Sequence, residues 1–135
     1  MTTDAHTVSE LTKETFAQSI DGHPFAVVDF WAPWCGPCRA FAPVFEAAAA
    51  RYPEILFAKV NTEQEQEIAG HFRIRSIPTL MIFRDNIIVF AQAGALSAGS
   101  LDQVLAAAKE LDMDAVRRQV ESERGASAST SPATS

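Results

Sequence analysis

Cysteine is nearly absent. The 135 residues hold two, Cys35 and Cys38. A small domain stapled by disulfides would need several more. A zinc site built on this pair would need further ligands, and His6, His23 and His71 are scattered without ligand spacing. A structural bond across two intervening residues would close too small a loop to stabilise much. Positive charge is also short: 11 Lys and Arg face 17 Asp and Glu, a net charge of −6 at pH 7. That balance argues against nucleic acid or an anionic membrane as a partner. No apolar run approaches the length of a membrane span. Met1 to Glu10 have neither a basic start nor an apolar core, so no signal peptide is expected. The expected location is the cytoplasm, where thiols are kept reduced.

What is present centres on the cysteines. Val27-Val28-Asp29-Phe30 reads as strand, Trp31-Ala32-Pro33 as a turn, and a helix-like stretch runs from Arg39 to Arg51. Between them lies Trp34-Cys35-Gly36-Pro37-Cys38. Residues three apart are neighbours on a helical turn, within reach of a disulfide. The first turn has free N–H groups and the positive end of the helix dipole. A thiol there is more acidic, and the thiolate is the nucleophile. Pro37 suits a first-turn position, where its missing N–H costs nothing. Cys35 is expected at the exposed tip and Cys38 one turn inside, shielded. Three readings of the pair compete: half a zinc site, a structural disulfide, or a redox-active dithiol. A CxxC following a strand suggests the third.

The rest of the chain reads as one domain with an ordinary apolar share of 47%. Residues 1–7 look like a loose tail. An edge strand is expected near Val8 to Leu11, then a helix capped by Thr12 with Phe16 and Ile20 on one face. Phe25 to Phe30 form a central strand. Asp29 is its anomaly, since a buried carboxylate without a partner is costly. It is either a strand-end aspartate touching water or a buried carboxyl of raised pKa that relays a proton to Cys38. Pro43 should kink the helix after the motif. Ile55 to Asn61 is a strand, and Thr62-Glu63-Gln64-Glu65 reads as a capping box. Thr79 to Phe83 and Ile87 to Ala93 form a hairpin. Ser100-Leu101-Asp102-Gln103 reads as a second capping box, opening a helix that buries Leu101, Val104, Leu105 and Ala108. Asp112 to Arg124 are helix-capable. Gly125 to Ser135, rich in Ser, Ala and Thr, are expected to be disordered.

The decapeptide Asp29 to Cys38 resembles the active-site signature of thioredoxins. Ile77-Pro78-Thr79 resembles that family's cis-proline segment, and Gly94-Ala95 follow the last strand as they do there. The family is itself a standing example of a thiol made more acidic at a helix start. The resemblance covers about Val8 to Leu111. It implies an α/β thioredoxin fold, a mixed central sheet flanked by helices, here with a C-terminal helical extension over 112–124. It implies that Cys35 attacks, Cys38 resolves and Asp29 relays a proton with Lys59 beside it, although Lys59 alone reads equally well as an exposed strand lysine. It implies that Pro78 is cis and leaves the backbone of Ile77 free to pair with a substrate chain. Trp34, Gly36, Pro37, Ile77, Pro78, Gly94 and Ala95 then form a substrate-docking patch. The hairpin turn departs from the family: Asn86 stands where thioredoxins usually have glycine, and asparagine tolerates positive φ.

The expected function is therefore a protein-disulfide reductase, a thiol–disulfide oxidoreductase of disulfide-containing proteins. No metal or bound cofactor is expected. By family analogy a flavin-containing, NADPH-dependent thioredoxin reductase supplies the electrons, and the protein works as a monomer. The alternative is a binding or chaperone-like subunit in which the dithiol is incidental. Within the enzyme class the rival is an oxidase or isomerase, which Gly-Pro between the cysteines disfavours.

Overall fold

The computed structural model describes residues 8–134, with side chains through residue 124; the loose tail expected over 1–7 lies outside them. The central element is β2 (Phe25–Trp31), buried along all but its last residue. A strand covered on both faces has to be apolar throughout, and FAVVDFW nearly is. β2 pairs in parallel with β3 (Leu56–Asn61) and antiparallel with β4 (Thr79–Arg84). A two-residue strand β1 (Ser9–Glu10) lies parallel to β3, shorter than the expected edge strand. β5 (Ile87–Ala93) closes the other side, so the mixed sheet runs β1-β3-β2-β4-β5.

Alternation along the strands builds two cores. On one face Phe25, Val27, Phe57, Leu80 and Ile82 meet α2 (Gly36–Arg51) and α4 (Ala98–Lys109) through Phe41, Phe45, Leu101 and Leu105. On the other face Val28, Phe30, Val60, Met81 and Phe83 meet Phe16 and Ile20 of α1 (Phe16–Asp21), Ile68 of α3 (Gln66–His71), and Phe72. The expected α/β fold with helices on both faces is what forms. Pro43 lies inside α2, as its sequence position required.

Several helix starts differ from their sequence signals. Thr12 does not cap α1; its carbonyl accepts the N–H groups of Thr15 and Phe16 in a turn, and the helix begins at Phe16. The box at Thr62 does not cap α3. Glu65 stands at the N-cap of α3 without a side-chain cap bond, while buried Asn61 fixes the turn before the helix, its Oδ1 accepting the N–H of Glu63 at 2.9 Å and of Gln64 at 3.3 Å. The cap of α4 is Ser97, whose Oγ accepts the N–H of Ser100 at 3.1 Å, so the cap stands three residues before the one the second box offers. Of these three helices only α4 has a side-chain cap; α1 and α3 begin without one. The hairpin turn keeps Asp85 at φ 53° and Asn86 at φ 66°, the positive pair a two-residue turn demands.

The C-terminal extension forms a separate helix, α5 (Met113–Thr134). Asp112 starts it, accepting the N–H groups of Asp114 and Ala115 at 3.1 and 3.3 Å. The bounds of α5 run past Gly125 into the stretch expected to be disordered. Met113 is buried, and Val116 and Val120 line a shallow groove with Ile87, Ile88 and Val89 of β5. Arg117 braces the helix against the hairpin, pairing with Asp85 at 2.6 Å and with Asp114. These side chains are partly exposed, so Arg117→Ala should lower stability only slightly, and by less in high salt. Thermal melts at low and high ionic strength test this; a larger, salt-independent loss would mean Arg117 packs rather than pairs.

Candidate active site

The site sits where β2 hands over to α2. Cys35 is the N-cap residue of α2, with extended backbone, and Pro37 lies in the first turn. Cys35 and Cys38 form a disulfide with their Cα atoms 5.2 Å apart, the spacing expected of neighbours on one turn. The N–H of Cys38 donates to Cys35 Sγ at 3.2 Å. That N–H and the positive end of a 16-residue helix face the Cys35 sulfur, an environment of the kind that stabilises negative charge on sulfur.

One expectation is corrected. Cys35 was expected to be exposed and only Cys38 shielded, yet Cys35 is 5% exposed and Cys38 2%. The cause is the loop before β4. Ile77, with Trp31, packs against the cluster of Ala32, Cys35 and Cys38, and its carbonyl oxygen lies 3.8 Å from Cys35 Sγ. A disulfide sulfur carries no proton, so this is a packing contact. The Ile77–Pro78 peptide is cis. Neither the N–H nor the C=O of Ile77 bonds to another backbone group among the described residues. It remains an open pairing edge at the lip of the disulfide.

The residues of the expected docking patch differ in exposure. Trp34, Gly36, Pro37, Gly94 and Ala95 are exposed, Ile77 is half-buried, and Pro78 is buried beneath them. The N–H of Gly94 donates to the carbonyl of Pro78 at 2.8 Å, tying the end of β5 to the loop. Gly94 has φ +104°, a conformation that any side chain would strain.

Asp29 is 3% exposed, which removes the reading of a strand-end carboxylate in water. It lies two residues after Val27, on the sheet face that α2 covers. Its Oδ1 has no hydrogen-bond partner. Burial pushes its pKa up to about 7, against the opposing pull of Lys59. Lys59 sits directly across from it in the parallel β2–β3 register. It is half-buried rather than exposed, with Nζ 4.7 Å from the centre of the Trp31 ring, a cation–π contact. The sheet therefore brings Asp29 and Lys59 together as predicted.

Sequence reasoning missed two contributors. Asn61 ends β3 and fixes the following turn; an asparagine before a polar run is the signal that could have found it. Glu63 was taken only as a helix cap, and it instead accepts the indole N–H of Trp34 at 2.9 Å. Among the described residues no group of three or more His, Cys, Asp or Glu is placed to hold a metal ion. No described helix is long and apolar enough to cross a membrane.

Comparison with known proteins agrees with this geometry. The Thioredoxin family model matches residues 7–107. A Streptomyces coelicolor relative named "Putative thioredoxin 2" is 52% identical over 111 residues, 82% of this chain and 83% of that one. Thioredoxin 1 of a Nostoc species is 44% identical over 99 residues, covering 72% and 92% of the two chains. The crystal structure of thioredoxin f from spinach chloroplast superposes with a TM-score of 0.73 at 30% identity, over 78% of this chain and 89% of that one. With its cysteine pair closed at the head of α2 and beside the cis Ile77–Pro78 peptide, this chain belongs to the thioredoxin family of thiol–disulfide oxidoreductases.

Proposed function

We propose the following division of labour for the reduction of protein disulfides. The observation that carries it is an S–S bond at a helix N-terminus, with a backbone edge at Ile77 beside it that is unpaired among the described residues. A partner chain docks on Trp34, Gly36, Pro37, Gly94 and Ala95 and pairs with the backbone of Ile77, which cis Pro78 holds in place. The Cys35 thiolate attacks one sulfur of the partner's disulfide. That bond breaks, the leaving sulfur takes a proton, and a mixed disulfide joins the two chains. Cys38 gives its proton to ionised Asp29 and attacks Cys35 Sγ. The mixed disulfide breaks, the partner's second sulfur leaves and takes up a proton to become a thiol, and Cys35–Cys38 is oxidised. Two electrons have passed. Lys59 limits how far burial raises the pKa of Asp29.

The pair is then reduced by a flavin-containing thioredoxin reductase drawing on NADPH. The working form is a cytoplasmic monomer, with residues 8–111 as the redox domain and α5 appended to it. NADPH consumption with a thioredoxin reductase and insulin as the disulfide protein tests this. Rapid turnover that Cys35→Ser abolishes is expected. No turnover from a protein whose dithiol still titrates normally would mean a dedicated reductase or partner.

A further inference from the structure

Trp34 is 64% exposed, the most open large apolar side chain at the site. Its ring is nevertheless anchored. The indole N–H donates to Glu63 Oε2 at 2.9 Å. Glu63 is itself held: its N–H donates to the Oδ1 of buried Asn61 at 2.9 Å. The neighbouring Thr62 donates twice to the carbonyl of Trp31, through its N–H at 2.8 Å and its hydroxyl at 3.1 Å. The turn carrying Glu63 is thus tied both to the end of β3 and to the end of β2, the strand that leads into the cysteines. An N–H bond onto a carboxylate is stronger than one between neutral groups. No Lys or Arg among the described residues forms an ion pair with Glu63. Among the described residues the Glu63 carboxylate thus has a bond to the Trp34 indole and no ion-pair partner, and Trp34 is the residue next to Cys35 along the chain.

We propose that Glu63 is a positioning and specificity-determining residue for disulfide exchange. It fixes the Trp34 ring at the mouth, and its carboxylate favours partner segments that carry Lys or Arg next to the attacked disulfide. The inference rests on Trp34 being part of the docking surface. Two cations lie nearby: Arg39, which donates to the carbonyl of Pro33 at 3.1 Å, and exposed Arg75, two residues before Ile77. Both favour acidic groups, so the contribution of Glu63 has to be read by changing Glu63 itself.

The experiment uses the reduced full-length chain and two disulfide-linked peptides that differ only in Lys or Glu beside the target cysteine. An uncharged dipyridyl disulfide gives the reference rate for each variant. At low salt the unmodified protein should favour the lysine peptide by about threefold in kcat/KM, the size of an exposed ion pair, and salt should shrink the ratio. Glu63→Gln keeps an acceptor for the indole N–H and removes the charge, so the two peptides should converge. Glu63→Ala removes both, and should also raise KM for both peptides above the Glu63→Gln values. A preference that survives in Glu63→Gln, or is missing from the unmodified protein, overturns the specificity role. Equal KM values in Glu63→Gln and Glu63→Ala overturn the positioning role. If the dipyridyl disulfide fails to react with the unmodified protein, the dithiol reading itself falls, and this inference with it.

Discussion

A chain in which Cys38 is replaced by serine should accumulate as a covalent adduct with its partners. Cys35 remains at the head of α2, where the N–H of residue 38 still faces its sulfur, so attack on a partner disulfide proceeds. No thiol is left to release the product, because the chain has only two cysteines. Turnover in the coupled assay should fall to background. Non-reducing gels should show new species that disappear on adding dithiothreitol. Cys35→Ser should give the same loss of turnover with no adducts. The asymmetry is the informative part, since both sulfurs are nearly equally buried in the closed form. Adducts on Cys38 in the Cys35→Ser chain, and none on Cys35, would reverse the order of attack. With Ile77 lying over Cys35, opening of the disulfide or docking of the partner has to uncover the sulfur first.

The second large effect concerns Asp29 and is expected in stability and in rate together. Its pKa rises from 3.8 to about 7 on folding. The native state therefore binds more protons than the unfolded state between those values, and stability falls as pH rises through that window. Each unit of pKa corresponds to about 1.4 kcal/mol, so the ionised carboxyl costs on the order of 4 kcal/mol above pH 7. Asp29→Asn removes the charge at nearly constant shape. The variant should gain a few kcal/mol over the parent above pH 7 and almost nothing below pH 4. Urea unfolding across that range measures it; a gain independent of pH would show that packing, not ionisation, sets the cost. The same substitution should slow release of the mixed disulfide at neutral pH by up to about a hundredfold, the low end of general-base effects. It should also erase the rise in that rate near pH 7. A group that weakens the fold at the pH where it works is a familiar bargain at active sites.

Much of this site was legible in the sequence because its residues lie in one contiguous stretch. Asp29 to Cys38 span the end of a strand, a turn and the start of a helix, and short-range physics governs all three. Ile77-Pro78 and Gly94 were found only because their local sequences resemble a known family; nothing in one chain places them against Cys35. The pairing of Asp29 with Lys59 depends on the β2–β3 register, which the apolar pattern of both strands favours. The burial of Cys35 was not legible, since a loop forty residues away covers it. The capping boxes misled because a box is only a local signal: α1 and α3 begin without a side-chain cap, and α4 takes Ser97 instead. Glu63 escaped because its partner, Trp34, is twenty-nine residues away in sequence.

The position of α5 bears on how the protein behaves when concentrated. β5 is an outer strand, and its first half, Ile87 to Val89, is unusually apolar for such a place. Unpaired backbone beside apolar side chains is a template for aggregation. α5 stands alongside that half, with Val116 and Val120 toward it and Arg117 fastened to the turn. The second half, Ala91 to Ala93, is left uncovered, but its small and polar side chains offer little grip. Placed there, the first turns of α5 lie beside the apolar part of the sheet's rim rather than its polar end.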